Sequence, residues 1–263
     1  MKNKTFIAGF ILIAVALLGV FFVTAQPSLA EPSSIATANQ LYENGRFAES
    51  AQLYEQLIAQ EMRSSAIYYN LGNAYYQQGD LGKAILNYNR ALALDPRDAD
   101  IKANLTLART QVVDQFGVEV EDDIFAIYTT AVSNNLTLNQ TAVLALIFWC
   151  SFATAVIAVR QMETGKLRNY LQVGTAVVGV FFFIATFSLG GRLVEQINME
   201  TAVIIAPEVE VTNGPGKQYA SQFTLHSGTE VELLGERGNW AKLALPGGES
   251  TGWLPAEAIE AIN

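Results

Sequence analysis

The sequence predicts a multidomain membrane protein that combines an α-helical repeat solenoid, a transmembrane helical hairpin and a small all-β barrel. First, apolar and small residues recur at a 34-residue period in the N-terminal part of the chain. Second, two long apolar runs without charge follow the repeats. Third, short strand-like segments separated by turns lie after these runs. A composition of 51% hydrophobic and 16% charged residues also indicates that part of the chain lies in lipid.

Charge and residue usage exclude several classes of function. The net charge is −9, and the basic residues form no cluster of the kind that binds nucleic acid phosphates. Cys150 and His226 are the only cysteine and histidine, so neither has a second thiol or imidazole for a metal site. We assign His226 a structural role in a turn. No catalytic constellation, metal-ligand set or cofactor motif is present, which predicts a non-enzymatic protein without cofactors.

Residues 1–30 read as an export signal. Two lysines precede an uncharged run over residues 5–25, and the small residues Ser28 and Ala30 then offer a cleavage site. The run is also long enough to span a bilayer uncleaved. The sequence therefore predicts either a signal peptide or an N-terminal membrane anchor.

Residues 33–113 carry the repeats. The period is that of the tetratricopeptide (TPR) repeat, a helix pair whose stacking builds a solenoid. It predicts repeats over about 31–64 and 65–98, followed by a capping helix that begins at Asp98 or Asp100. The recurring residues are Asn39, Tyr42, Gly45, Phe47, Ser50 and Tyr54, which return as Asn73, Tyr76, Gly79, Leu81, Ala84 and Tyr88.

Small residues in the second repeat indicate how its two helices meet. Gly72 and Ala84 stand where we expect the helices to cross closely. Gly79 is expected in the turn between the helices, and Pro96 is expected to end the second one.

The first helix of each repeat lines the concave face of such a solenoid, and this face is the predicted site. Asparagine amides can pair with the backbone of an extended peptide, and tyrosines supply contact area at low entropic cost. Two repeats and a cap also form a small solenoid, so self-association is a further expectation. The predicted peptide-binding residues are Asn39, Tyr42, Tyr69, Asn73 and Tyr76.

An acidic linker over 114–140 leads to two predicted membrane spans, at about 141–159 and 170–190 within residues 141–191. The loop between the spans carries three basic residues, whereas residues 110–140 carry none. The positive-inside rule therefore places the loop in the cytoplasm and both flanking regions outside. This agrees with the export signal. Neither span contains an Asp, Glu, Lys, Arg or His side chain, which favours simple anchoring over transport.

Residues 199–263 alternate short apolar segments with turns. They contain the turn Asn213-Gly214-Pro215 and the motifs Gly238-Asn-Trp240 and Gly252-Trp253-Leu254. With these motifs the segment resembles a bacterial SH3-like (SH3b) domain. Most of this pattern is structural, because alternate strand residues face the core of such a domain. The residues expected in the core are Val231, Leu233, Trp240, Leu243 and Leu254.

Three stretches of the repeats and the order of the domains carry a further resemblance. The stretches are Tyr69-Asn-Leu-Gly-Asn-Ala-Tyr-Tyr76, Leu81-Gly-Lys-Ala-Ile85 and Asp95-Pro-Arg-Asp-Ala-Asp-Ile101. Together with the domain order, they resemble the BatE family of Bacteroides aerotolerance proteins. The resemblance implies an envelope protein that acts with membrane partners of the von Willebrand factor A domain type, in stress tolerance or envelope upkeep.

Two functional hypotheses follow. In the first, the chain is a non-enzymatic scaffold in the bacterial cytoplasmic membrane, with its TPR and SH3-like domains outside and a peptide of a membrane protein in the TPR groove. In the alternative, the SH3-like domain binds peptidoglycan and the repeats are structural. An enzyme is disfavoured, because no motif supports it.

Overall fold

The computed structural model describes residues 33–116, 131–132, 135–198, 200–247 and 250–262. The predicted export signal and most of the acidic linker lie outside these residues. The chain divides into two compact units. One contains the apolar hairpin, and the other combines the helical repeats with the C-terminal strands.

Five helices form the solenoid, the name used here for residues 33–116. They are α1 (Ser33–Glu43), α2 (Phe47–Ala59), α3 (Ser65–Gln78), α4 (Leu81–Leu94) and α5 (Ala99–Arg109).

Polar side chains begin three of these helices. The hydroxyl of Ser64 accepts the N–H of Ile67 at the start of α3, and the carboxylate of Asp80 accepts the N–H of Lys83 at the start of α4. At α5 the cap is Asp98, one of the two predicted starts, whose carboxylate accepts two backbone N–H groups. Such caps satisfy amide groups that have no partner within the helix.

The core of the solenoid forms where the helices of each repeat cross. Tyr54, Ile85 and Tyr88 are almost completely buried there. A Cβ atom on Gly72 would lie 2.7 Å from the ring of Tyr88, so the structure confirms that a small residue is needed at this crossing. Gly79 ends α3 with a φ of 79°, as expected for a turn glycine.

The apolar hairpin consists of α6 (Leu138–Gln161) and α7 (Lys166–Asn198). Both helices are long and apolar enough to cross a membrane. They pack through stacked phenylalanine pairs, Phe148 with Phe181 at a centroid distance of 5.6 Å and Phe152 with Phe182 at 5.8 Å. The two predicted apolar helices are therefore present.

The β domain, residues 200–262, is an antiparallel sheet, so the predicted all-β fold is confirmed. Its strands are β1 (Glu200–Ile204), β2 (Glu208–Thr212), β3 (Ser221–His226), β4 (Glu230–Arg237), β5 (Trp240–Ala244), β6 (Thr251–Pro255) and β7 (Ile259–Ala261). The strand order is β3-β2-β6-β5-β4-β1-β7. Among the described residues the sheet is open rather than a closed barrel, because β3 pairs only with β2 and the short β7 pairs only with β1.

The core of the β domain matches the predicted alternation with one exception. Leu233 packs against the buried cluster, whereas Trp240 is half-buried and does not belong to it. Trp240 begins β5, where the strand pairs with Arg237 and Pro255 at one end of the sheet. The expected core residues that are buried are Val231, Leu243 and Leu254.

The β domain packs directly against the solenoid, and we call this contact the joint. Strand β1 is buried on both faces: Val203 belongs to the core of the solenoid, while Ala202 and Ile204 belong to the core of the β domain. The joint therefore unites two regions that the hairpin separates in sequence.

Solenoid side chains bond to both open edges of the sheet. Arg90 donates hydrogen bonds to the backbone oxygens of Ala261 at 2.6 Å and Ile262 at 3.2 Å, at the end of β7. Asp114 accepts the backbone N–H of His226, the last residue of β3, at 2.7 Å. These contacts occupy edge groups that would otherwise lack a neighbouring strand.

Candidate functional site

Two cavities, with volumes of about 280 and 320 Å³, are lined mainly by residues of α1, α3 and α5. Tyr42 and Asn73 line both cavities, so the two adjoin, and we call them together the groove. The first cavity is lined by Asn39, Tyr42, Glu43, Tyr54, Asn70 and Asn73. The second is lined by Tyr42, Tyr69, Asn73, Tyr76, Gln77, Tyr88, Asn104 and Leu107.

The structure brings all five residues of the predicted site into this groove. Each is half-buried, which leaves part of its side chain accessible to a ligand. The five are Asn39, Tyr42, Tyr69, Asn73 and Tyr76.

The amide of Asn39 is held by two neighbours. The phenol of the buried Tyr54 donates a hydrogen bond to Asn39 Oδ1. Asn70, in the next repeat, donates from Nδ2 to the same oxygen at 3.2 Å. Both bonds converge on Oδ1, so they leave the Nδ2 group of this amide without a partner among the described residues.

The second repeat reproduces the arrangement around Asn73. Tyr88 donates to Asn73 Oδ1 at 2.8 Å, and Asn104 donates to the same oxygen at 2.9 Å. Burial raises the pKa of the Tyr88 phenol, so the proton that makes this bond is firmly held. The same three-residue unit therefore occurs twice, one repeat apart.

These duplicated units leave two donor groups in the groove. Within the described residues, the Nδ2 groups of Asn39 and Asn73 have no hydrogen-bond partner. An amide nitrogen carries two N–H donors. The groove can therefore donate hydrogen bonds to two acceptors of a ligand, with both amides already oriented by the fold.

The predicted tyrosines form the walls beside these donors. Tyr69 lies against the ring of Tyr88 at a centroid distance of 6.0 Å, and its hydroxyl accepts a bond from Asn104 at 3.0 Å. The hydroxyl of Tyr76 accepts a bond from Gln111. Fixed aromatic walls give a ligand apolar contact without a large loss of side-chain entropy.

The groove is almost free of charge. Its lining contains one carboxylate, Glu43, and no lysine or arginine among the described residues. A carboxylate of a ligand would therefore find no cation there. Neutral polar groups that accept hydrogen bonds fit the lining better.

Asn70, Asn104, Leu107 and Gln111 contribute to the groove but were not predicted. Asn70 and Asn104 stand 34 residues apart, so the repeat period itself held the signal for them. Leu107 and Gln111 belong to the capping segment, which has no second copy in the sequence and so gave no such signal.

Comparison with known families assigns the two domains of this unit. Residues 35–99 match the tetratricopeptide repeat. Residues 209–260 match the bacterial SH3 domain. No curated protein matches the chain. The TPR and bacterial SH3 domains are typically non-catalytic modules, and they support a function in protein–protein interaction or in cell-wall binding.

His226 of the bacterial SH3 domain takes part in the joint. Its backbone oxygen accepts the N–H of Thr229 at 3.2 Å, within a turn. Its Nδ1 lies 3.0 Å from Asp114 Oδ1, across the joint. In the described part of the chain, no group of three or more His, Cys, Asp or Glu side chains could hold a metal ion.

Proposed function

We propose that this chain is a non-enzymatic, membrane-anchored scaffold whose TPR groove holds an extended peptide segment of another membrane protein. The observation that carries the proposal is the pair of oriented Nδ2 donors of Asn39 and Asn73, one repeat apart. An extended peptide presents backbone carbonyl oxygens at regular intervals, which are suitable acceptors for these donors.

The chemistry of the groove restricts the kind of peptide that it can bind. Because no lysine or arginine lines it, an internal peptide segment fits better than a C-terminal carboxylate. Glu43 at one end favours a lysine or arginine in the ligand at that point.

The proposed topology places the TPR and bacterial SH3 domains on the same, extracytoplasmic side of the membrane. The joint supports a common side, because Val203 packs in the solenoid core although the apolar hairpin lies between the two domains in sequence. The loop between α6 and α7 is rich in basic residues, and this supports a cytoplasmic location for the loop.

The proposed physiological context comes from the resemblance to the BatE family. It comprises the bacterial cell envelope, membrane partners with von Willebrand factor A domains, and a role in stress tolerance. Self-association remains part of the proposal, because a solenoid of two repeats and a cap is short.

Site-specific photo-crosslinking in intact cells tests the groove. A photo-reactive amino acid at Tyr42, which lines both cavities, is expected to trap a partner, and mass spectrometry then maps the trapped segment. The double variant Asn39→Asp, Asn73→Asp keeps the oxygens that the neighbouring tyrosines bond but removes both donors. We expect it to lower the crosslinking yield by about tenfold. The loss of hydrogen bonds, together with repulsion between the new carboxylates and the acceptor oxygens of the ligand, should weaken binding by more than roughly 1.4 kcal/mol.

The variant Asn44→Asp is the matched control. It introduces the same chemical change at an exposed residue outside the groove and should leave the yield unchanged. An undiminished yield in the double variant would rule out binding through these donors. A trapped segment that ends in a free C-terminal carboxylate would contradict the preference for an internal segment.

The match of residues 209–260 to the bacterial SH3 domain supports a second candidate, binding of peptidoglycan. Tyr219 is 44% exposed and Trp253 is half-buried, so both present aromatic surface to a ligand. The full chain in detergent should then sediment with purified cell-wall sacculi, and Tyr219→Ala should weaken this while Asn73→Asp should not. A chain that stays in the supernatant would exclude this candidate.

A further inference from the structure

We propose that the β domain positions helix α5 for the groove, and that Arg109 and Asp114 are the positioning residues. The proposal rests on peptide binding in the groove as described above. It gives the β domain a part in that binding even though none of its residues lines either cavity.

Helix α5 and the residues after it form one wall of the groove. Asn104 donates to Asn73 at 2.9 Å and to Tyr69 at 3.0 Å, and Gln111 donates to Tyr76. Leu107 lines the second cavity. A displacement of α5 would therefore release Asn73, one of the two donor residues, from one of its two neighbours.

Within the solenoid, α5 packs through one side. It has 11 residues, a length at which an isolated helix is marginal in water. Its apolar side, including Ile101 and Leu105, is buried in the solenoid, and among the described residues no further repeat stacks on it. The position of such a terminal helix therefore also depends on contacts from outside the solenoid.

The β domain supplies that support at Arg109. Its guanidinium bonds both carboxylate oxygens of Glu230, with Nε to Oε2 at 2.7 Å and Nη2 to Oε1 at 2.8 Å. Asn89 of α4 donates to Glu230 Oε1 at 2.7 Å. Glu230 thus links α4 and α5, and the two-bond arrangement fixes the direction of the arginine side chain.

Asp114, five residues beyond the end of α5, provides a second attachment. Its carboxylate accepts the N–H of His226 at 2.7 Å and the hydroxyl of Thr229 at 2.7 Å, and it lies 3.0 Å from the His226 ring. Its side chain is only 13% exposed. The segment between these two attachments contains Gln111, the residue that bonds Tyr76 in the groove.

Two glycines make the joint tight. A Cβ atom on Gly228 would lie 2.8 Å from Val112, just after α5, and one on Gly82 would lie 2.6 Å from the backbone oxygen of Ile204. Val112 itself is buried. The β domain therefore contacts the capping segment closely enough to restrict its movement.

Charge reversal at the Arg109–Glu230 pair tests the proposal in the full chain. The variants Arg109→Glu and Glu230→Arg each break the pair, and the double variant restores opposite charges. Hydrogen exchange of the α5 amides should rise by on the order of tenfold in each single variant and return most of the way in the double variant. The amides of α1 and α2 are the internal control and should not change. Unchanged exchange in α5 would overturn the proposal.

The link to binding has its own readout, the crosslinking yield from the photo-reactive residue at Tyr42. We expect the yield to fall in both single charge variants and to recover in the double variant. Faster α5 exchange with an unchanged yield would overturn the positioning role and leave the proposed function intact. If Asn39→Asp, Asn73→Asp also leaves the yield unchanged, then the proposed function itself fails, and the positioning role fails with it.

Discussion

The phenol of Tyr88 donates a 2.8 Å hydrogen bond to the side-chain oxygen of Asn73, joining the second helix of a repeat to its first. Tyr54 and Asn39 are joined in the same way one repeat earlier. In each pair the tyrosine is buried and the asparagine is half-exposed. The buried phenol therefore fixes the orientation of an amide at the surface of the groove. The residues that repeat most clearly thus build the fold and orient the site at once.

The first prediction concerns this bond. Tyr88→Phe keeps the ring but removes the donor, and Asn73 then retains only its bond from Asn104. We expect a loss of about 1 kcal/mol in the free energy of unfolding, which lowers the melting temperature by roughly 2 to 4 °C. Thermal unfolding of the detergent-solubilised chain, followed by circular dichroism, measures the change. Tyr219→Phe removes an exposed phenol and should have no effect.

The second prediction concerns the crossing of α3 and α4. Gly72→Ala places a methyl group 2.7 Å from two ring carbons of Tyr88, so the ring must move. Overpacking of this kind costs about 1 to 3 kcal/mol. Gly165→Ala is the matched control, because a Cβ atom there would meet nothing within 4 Å. Equal melting temperatures for the two variants would contradict a close helix crossing at Gly72.

The third prediction concerns pH. Burial alone would raise the pKa of the Asp114 carboxyl, but hydrogen bonds from Thr229 and His226 and the nearby imidazole lower it below its usual value. A carboxyl with a lowered pKa stabilises the fold above its usual pKa, and this stabilisation is lost as the pH falls through the lower, folded-state value. Acid should therefore weaken the joint.

The variant Asp114→Asn isolates this contribution. Near neutral pH the wild-type chain should melt at a higher temperature than the variant. The difference should shrink as the solution is acidified below the usual pKa of an aspartate, since only the wild type loses an ionised carboxylate here. Other acidic residues titrate in both proteins, so their contributions to the difference in melting temperature cancel. A difference that stays constant with pH would show that the charge of Asp114 contributes nothing.

Much of the solenoid and its groove could be predicted because the same residue pattern occurs in two copies, one period apart. Gly72 and Gly79 have the spatial and backbone roles that the period implied. The five site residues line one groove because the period also fixes which helix faces inward. The strands of the β domain were visible from alternation and turn residues, whereas the open sheet was not, since strand closure is not encoded in any single segment.

The joint could not be predicted, because its contacts connect distant residues without a local pattern. Asp114 and His226 are separated by 112 positions, and neither stands in a motif that names the other. One signal was present: the apolar run 202–206 has no polar face, in contrast to the alternating 208–212. A strand without a polar face is expected to be buried on both sides, so it needs a second packing partner besides its own domain.

The last prediction uses the joint to test topology. Because the solenoid and the β domain pack on each other, Lys83 of one and Lys217 of the other must lie on the same side of a membrane. In cells whose outer envelope layers have been made permeable but whose cytoplasmic membrane is intact, a membrane-impermeant amine reagent should label both of these lysines and leave Lys166, the first residue of α7, unlabelled. Detergent should then expose Lys166, which is accessible in the structure. Labelling of Lys166 alone would indicate the opposite orientation and would be consistent with the joint. Labelling of only one of Lys83 and Lys217 would contradict the joint itself.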